Sequence, residues 1–247
     1  MSDRGTGEER RKRLLQVASA AVFLAVVVIA VLIVIAAQDS GSGGDTKLEG
    51  ARAVTGQLDG IPQRGLVLGE PAAKVTLVEF GDLQCPVCKG FSEEVIPSVI
   101  DAKVRSGEAR LEFRSFTIIG QESNVAAAAA IAAGRQGRGW DYVELFYRNQ
   151  GAEASGYVTD AFMTEIARGA GVPNIARWNR DRRSSAVLEE VENQTTEAKE
   201  LGFSGTPSFA VEGPASHGLE TLGFPESGAG ELEEAIEAAQ SPPGRSD

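Results

Sequence analysis

Two cysteines separated by two residues place the strongest limit on what this chain can fold into. Cys85 and Cys88 are the only cysteines, and they follow a strand-like run, 75–80, and open a helix-like run. A thiol at the first turn of a helix faces unpaired backbone N–H groups and the positive end of the helix dipole, which favours its thiolate. The loop that this pair would close is too short to restrain the unfolded chain much. The spacing therefore indicates a redox-active dithiol rather than a structural disulfide.

The charge of the chain is acidic and unevenly distributed. The 247 residues carry 24 basic and 35 acidic side chains, for a net charge of −11. Phosphate binding requires a basic face, so this balance argues against a nucleic-acid partner. Residues 1–13, in contrast, are basic. A basic N-terminus followed by an acidic remainder is typical of a soluble domain attached to an anchor. The one histidine, His217, is distant from the cysteines in sequence, so a structural zinc site lacks ligands and we expect no metal.

Residues 14–37 are apolar almost throughout. A helix of this length rises roughly 36 Å, which exceeds the roughly 30 Å of a bilayer's hydrocarbon core. A cleaved signal peptide has a similar basic start, but its apolar core is normally about 7–15 residues long, so the length favours a retained transmembrane helix. Because basic residues stay inside, we expect residues 1–13 to be a cytoplasmic tail. The rest of the chain would then lie outside the cell membrane, where disulfides form and persist.

Composition and periodicity divide the remaining chain. The Gly- and Ser-rich start of the segment 38–65 predicts a flexible linker, 66–240 a folded domain, and 241–247 a disordered tail. Within the domain, the runs 74–80 and 109–116 predict strands on either side of the helix that follows the cysteines. This order of strand, helix and strand predicts an α/β fold with the cysteines at the first turn of a βαβ unit.

Two further positions are candidates for the site. Glu79 interrupts the first predicted strand, and a buried carboxylate is costly unless it is paired or protonated. It either faces solvent on an alternating strand, or lies buried as a proton acceptor for Cys88, because burial raises the pKa of a carboxyl group. Thr206-Pro207 begins the predicted strand 205–211. That proline is either an ordinary strand-entry residue or the site of a cis peptide bond.

The stretch 75–89, VTLVEFGDLQCPVCK, resembles the active-site segment of DsbA-like thioredoxin-fold oxidoreductases. It is most similar to the membrane-anchored, extracytoplasmic branch found in Gram-positive bacteria. The segment from Ser123 to Trp140 resembles the opening of the helical block that distinguishes these proteins from plain thioredoxins. The resemblance therefore implies a thioredoxin-like α/β fold with an inserted helical subdomain at about 120–201.

The resemblance also implies roles for individual residues. Cys85 would be the nucleophile and Cys88 the resolving cysteine. Glu79 matches an acidic residue that lies six positions before the first cysteine in this family. The substrate would be bordered by the cis-proline loop and by the two residues between the cysteines, which are Thr206, Pro207, Pro86 and Val87.

Together these features predict a membrane-tethered, extracytoplasmic thiol:disulfide oxidoreductase that introduces disulfides into unfolded exported proteins with free thiols. The Cys85–Cys88 disulfide would be its redox group, without a further cofactor, and by resemblance a DsbB-like or VKOR-like membrane protein would reoxidise it. The best-known DsbA enzymes have a thiolate-stabilising histidine just before the second cysteine. Val87 stands there in this chain, which predicts a milder oxidant. A reductase and a non-catalytic, tethered peptide-binding module are the alternatives.

Overall fold

The sheet is built around one strand whose sequence is almost continuously apolar. The structure is a computed structural model that describes residues 48–240. Its strands are β1 (Gln63–Arg64), β2 (Val67–Leu68), β3 (Val75–Gly81), β4 (Ala109–Ser115), β5 (Ser208–Glu212) and β6 (Glu220–Gly223). They lie in the order β1-β2-β4-β3-β5-β6. Every residue of the central strand β3 is buried, as expected for a strand covered on both faces.

The helices cover both faces of this sheet or form a block between β4 and β5. They are α1 (Ala51–Leu58), α2 (Pro86–Glu94), α3 (Ile96–Val99), α4 (Gln121–Gly134), α5 (Gly139–Arg148), α6 (Asp160–Gly169), α7 (Ile175–Asp181), α8 (Ser185–Glu200) and α9 (Ala229–Gln240). A π-helical turn, Ile100–Val104, extends α3. The five helices α4 to α8 coincide with the helical block predicted at about 120–201, and the βαβ unit β3-α2-β4 is confirmed.

The pairing of β3 brings distant parts of the chain to the cysteines. It runs parallel to β4, with Glu79 opposite Phe113, and antiparallel to β5, with Glu79 opposite Phe209. Parallel pairing places the carboxyl ends of β3 and β4 at one edge of the sheet, where α2 begins. The antiparallel strand β5 starts at that same edge, so the turn before Ser208 also reaches it.

Buried alanine and aromatic side chains pack the helices of the helical block against each other. Alanine residues 126–130 and 132–133 of α4 are almost completely buried, which lets neighbouring helices approach closely. Trp140, Phe146 and Tyr147 of α5 are buried in the core, and Phe162 of α6 packs against Phe146 with ring centroids 5.3 Å apart. The first three side chains therefore lie in the core, and the half-buried Phe162 packs between helices.

Helix α1 corrects the predicted linker. The segment 38–65 was expected to be flexible, yet from residue 48 onward it holds α1 and β1. Val54 and Leu58 of α1 are buried against the core, and the helix packs on α5. Glu49 and Asn149 tie the two together through hydrogen bonds of 2.9 and 3.0 Å. Two apolar residues in one short helix carry too little periodicity to be recognised, because tertiary packing supplies most of its stability.

Strand β6 is a second element that the sequence pattern did not reveal. It pairs with β5 at the edge of the sheet, directly after a loop rich in Gly, Pro and Ser. Its four residues are half-buried or exposed, so no alternation of apolar and polar residues marks it. The last helix, α9, follows it, and its buried Leu232 and Ile236 pack against the sheet.

Three predictions lie outside the described residues. These are the cytoplasmic tail at 1–13, the transmembrane helix at 14–37 and the disordered tail at 241–247. Between residues 48 and 240, no helix combines the length and apolar character needed to cross a membrane.

If α1 belongs to the folded domain, Leu58→Ala should lower the free energy of unfolding by about 2–5 kcal/mol, because it leaves a cavity in the core. Arg52→Ala, on the exposed face of the same helix, is the matched control and should change it by less than about 0.5 kcal/mol. Urea denaturation followed by circular dichroism measures both. Equal, small effects of the two substitutions would show that α1 contributes nothing to the fold.

Candidate active site

A buried carboxylate shapes the connection between β3 and the dithiol. Asp82 is fully buried, and its Oδ2 accepts hydrogen bonds from the backbone N–H groups of Ile118 (2.9 Å) and Ile119 (3.1 Å). Its Oδ1 accepts one from the N–H of Gln84 at 2.9 Å, and its carbonyl accepts one from the N–H of Cys85 at 2.9 Å. The turn before the first cysteine is therefore tied to the loop that follows β4.

Cys85 caps the N-terminus of α2. Its Sγ accepts a hydrogen bond from the backbone N–H of Cys88 at 3.4 Å, and Pro86 occupies the start of the helix, where a missing N–H costs nothing. A hydrogen bond from the Cys88 thiol favours the Cys85 thiolate most strongly, and the Thr206 side chain and the N–H groups of Val87 and Cys88 add to it. Against the opposing effect of burial, they lower the pKa of Cys85 to about 6.

Cys88 lies in the opposite environment. Its side chain is completely buried, whereas Cys85 is 6% exposed and is flanked by the exposed Pro86 and Val87. Burial, followed by the interaction with Cys85, raises the pKa of Cys88 well above its ordinary value. Both cysteines are free thiols. At neutral pH the sulfur of Cys85 is therefore a thiolate and that of Cys88 a protonated thiol.

Glu79 is buried beneath this pair and does not face solvent. It is 4% exposed and shares a face of β3 with Val75 and Leu77, because alternate residues of a strand point the same way. Burial, then the charges of Glu144 and Cys85, raise the pKa of Glu79 to about 8. A group with this pKa can exchange a proton with a thiol near neutral pH.

The start of β5 forms the opposite wall of the site. The peptide bond between Thr206 and Pro207 is cis, so Pro207 is not an ordinary strand-entry proline. The Cys85 Sγ lies 3.4 Å from the Thr206 carbonyl oxygen, to which it donates a hydrogen bond when it is protonated, across 121 residues of sequence. Ser208 closes the turn by donating to the Gly205 carbonyl at 2.7 Å. The fold therefore brings together Thr206, Pro207, the two cysteines and Glu79.

Several residues that support the site were not recognised in the sequence. Gln150, just after α5, donates hydrogen bonds to the carbonyls of Leu83 (2.7 Å) and Cys85 (3.1 Å). Tyr147 donates one to the Asp82 carbonyl at 3.4 Å. Gly81 makes room for it, since a Cβ there would lie 3.0 Å from the Tyr147 hydroxyl oxygen and closer still to Phe113. No local pattern marks these residues, because their partners are 65 to 67 positions away.

Glu144 is the other residue that sequence reasoning missed. It lies on α5 and is 1% exposed. Burial raises its pKa to about 7, although Ser92 and the charge of Arg148 act in the opposite direction. A carboxyl group on an amphipathic helix is usually exposed, so nothing in the sequence distinguished this one.

The exposed surface next to the dithiol is apolar. Val87 is 47% exposed, and one helical turn further on Phe91 packs against the exposed Phe224 with ring centroids 5.1 Å apart. Within residues 48–240, no group of three or more His, Cys, Asp or Glu side chains is arranged to hold a metal ion. His217 is exposed in the loop before β6.

Comparison with known proteins identifies the family. A family model described as thioredoxin matches residues 63–222, well over half of the chain. The chain belongs to the thioredoxin family. Disulfide bond formation protein D of Bacillus subtilis is 29% identical over 169 residues, which cover 66% of this chain and 73% of that protein. The probable disulfide bond formation protein D of Bacillus cereus is 29% identical over 150 residues, 59% of this chain and 69% of that protein.

The solved structures agree on the fold. Oxidised BdbD from Bacillus subtilis superimposes with a TM-score of 0.61 at 22% identity and covers 72% of this chain and 96% of its own. The expected thioredoxin-like α/β fold with a helical insertion is thereby confirmed. The family match and the similarity to these relatives together show that the chain is a DsbA-like protein-disulfide oxidoreductase.

The pKa difference between the sulfurs predicts how the reduced protein reacts with iodoacetamide. Modification of Cys85 should rise with pH around a midpoint near 6, while Cys88 stays unmodified. Cys88→Ala should raise this midpoint, because it removes the thiol hydrogen bond to the thiolate. Mass spectrometry of samples alkylated between pH 4 and 9 measures both. A wild-type midpoint near that of a free cysteine, about 8.5, would contradict the assignment.

Proposed function

We propose that this protein is a membrane-tethered, extracytoplasmic oxidoreductase that introduces disulfides into exported proteins through Cys85 and Cys88. The observation that carries the proposal is the inequality of the two sulfurs. Cys85 is a thiolate at a helix N-terminus beside the exposed Pro86 and Val87, and Cys88 is completely buried and protonated. A stabilised thiolate is the better leaving group in thiol–disulfide exchange and stabilises the reduced enzyme, which favours oxidation of a client.

In the oxidised enzyme, a client thiolate attacks the Cys85 sulfur and breaks the bond to Cys88. Cys88 leaves as a thiolate and takes up a proton, which a protonated Glu79 below it can supply. A second client thiol then loses its proton to solvent and attacks the client sulfur of the mixed disulfide, so that Cys85 leaves as a thiolate. The client gains one disulfide and loses two electrons, which the dithiol retains.

The cis-proline loop is the proposed client-binding edge. The Thr206 carbonyl already faces Cys85, and an extended client could bind main-chain groups of Thr206 and Pro207 as an added strand. Such binding depends little on client sequence. The exposed, apolar Pro86 and Val87 would contact the residues around the client cysteine.

The location and the redox partner also belong to the proposal. An apolar segment at 14–37 after a basic start supports a single-pass anchor with the catalytic domain outside the cell membrane. The relatives named disulfide bond formation proteins support action on exported clients. Turnover then needs an oxidant that removes two electrons from the dithiol, and a DsbB-like or VKOR-like membrane protein would fill that role.

A reductase is the second candidate, and Val87 favours it. The side chain of a valine offers neither a charge nor a hydrogen-bond donor to the Cys85 thiolate, so the reduced enzyme is less stabilised than with histidine at this position. The equilibrium redox potential of the Cys85–Cys88 pair distinguishes an oxidase from a reductase.

Cys88→Ser should trap the mixed disulfide with clients, because it removes the resolving thiol while Cys85 still attacks. Cells that express the full chain with this substitution should show client adducts on non-reducing gels, and these should disappear with reductant. Cys85→Ser is the matched control and should show none. Adducts on Cys85→Ser rather than on Cys88→Ser would reverse the proposed order of the cysteines.

The redox potential against glutathione tests the direction. An oxidase should lie clearly above the roughly −270 mV of thioredoxin, and a value at or below it would make the protein a reductase. Val87→His should raise the potential and lower the pKa of Cys85, because an imidazolium beside the sulfur stabilises the thiolate. Val87→Leu, which adds no charge, should change neither.

A further inference from the structure

Two buried carboxyl groups, not one, lie below the dithiol. Glu79 points from β3 and Glu144 from α5, and neither is more than 4% exposed. Within the described residues, Oε1 of Glu79 and Oε2 of Glu144 are buried without a hydrogen-bond partner. A buried carboxyl oxygen without a partner is costly, and a pair of neighbouring carboxylates is costlier still. Packing alone therefore does not explain why these two carboxyl groups are buried together.

Glu144 lies along α2 below Cys88. Cys88 and Ser92, one turn apart, are the buried residues of α2, and this helix packs against α5. The Ser92 hydroxyl approaches the Glu144 carboxyl and favours its charged form, although the two groups do not reach hydrogen-bonding geometry. Cys88, Glu79 and Glu144 thus occupy one buried region where α2, β3 and α5 meet.

The charges around the pair act unequally on its members. Arg148, one turn after Glu144 on α5, favours ionisation of Glu144, and Glu93 of α2 opposes it. Arg148 is also held by Gln57 of α1, to which its Nη2 donates a hydrogen bond of 3.1 Å. The charges of Glu144 and Cys85 oppose the ionisation of Glu79. Cys88 of α2 and Tyr147 of α5 also lie near Glu79, whose charge raises the pKa of both. Glu144 is therefore the first of the two to ionise, and its charge then keeps the proton on Glu79.

We propose that Glu144 is a positioning residue whose charge controls when Glu79 can exchange a proton with Cys88. This inference rests on the proposed function, in which Glu79 is the proton carrier of the buried cysteine. The ionised Glu144 holds Glu79 in its protonated form, ready to protonate Cys88 as it leaves a disulfide. The same charge slows the reverse transfer, in which Cys88 must lose its proton.

That reverse transfer can be observed in the escape from a glutathione mixed disulfide. Glutathione is bound to Cys85, and the Cys88 thiol gives its proton to the Glu79 carboxylate. The Cys88 sulfur then attacks the Cys85 sulfur, the bond to glutathione breaks, and glutathione leaves as a thiolate. The rate should rise with pH as Glu79 ionises. Its midpoint should lie below the pKa of about 8 that Glu79 has in the reduced protein, because the Cys85 charge that helps to raise that pKa is absent from the mixed disulfide.

Removal of the Glu144 charge should move this profile. In Glu144→Gln the pKa of Glu79 falls, because a neutral amide does not oppose its ionisation. The midpoint should move to lower pH by about one unit, and escape at pH 7 should become roughly two- to fivefold faster as the fraction of ionised Glu79 rises. Glu144→Asp, which keeps the charge, should stay closer to wild type than to Glu144→Gln.

The experiment mixes the reduced full chain with oxidised glutathione in quenched flow, between pH 5 and 9.5, and follows the mixed disulfide by mass spectrometry. Asp141→Asn is the matched control, because Asp141 is buried one turn earlier on α5 but binds Gln63 at 2.8 Å, away from the dithiol. It should leave the midpoint unchanged. Adding Glu144→Gln to Glu79→Gln should have no further effect on the profile, since the charge acts through Glu79.

An unchanged midpoint in Glu144→Gln, or an equal shift in Asp141→Asn, would overturn the inference. The inference would also be overturned if Glu144→Gln moved the midpoint by the same amount when added to Glu79→Gln, because Glu144 would then act on the cysteines directly. Formation of the mixed disulfide is measured in the same traces. Its failure to form at Cys85 would contradict the proposed function, so the two failures are distinguishable.

Discussion

The hydrogen bond from the Cys88 backbone N–H to the Cys85 sulfur forms because only four residues separate the end of β3 from the start of α2. Asp82 holds that connection by accepting hydrogen bonds from the N–H groups of Ile118 and Ile119, which fixes the position of Cys85 at the N-terminus of α2. The same turn points the second cysteine into the core. One local constraint thus makes two chemically identical side chains different, and the redox chemistry follows from that difference.

The rest of the fold supplies what the dithiol cannot supply itself. Sheet pairing carries Glu79 under the buried sulfur and brings the Thr206 carbonyl to the accessible one. The helical block contributes from the side, with Gln150 on the Cys85 carbonyl and Glu144 in the buried region. Burying two carboxyl groups costs stability, and such costs are typically retained where they serve function. The insert is therefore part of the site, through α5, as well as a cover for the sheet.

Sequence reasoning succeeded where a signal is local and repeated. The strand before the cysteines, the helix that they begin and the strand after it each follow from neighbouring residues. It failed at α1 and β6, which are short and stabilised mainly by contacts with distant elements. The face of Glu79 could not be assigned either, because a strand covered on both sides shows no alternation.

The sequence by itself determined the strand, dithiol and helix in their order, and with them the stabilised thiolate, because a helix N-terminus acts on the residue that caps it. It also determined the acidic charge, the apolar segment at 14–37 and the valine between the cysteines. Only the tertiary structure decided which groups surround the dithiol: the Thr206 carbonyl beside Cys85, Glu79 below Cys88, and the unexpected Glu144 beside Glu79. These residues are far apart in the chain, and packing rather than local preference brings them together.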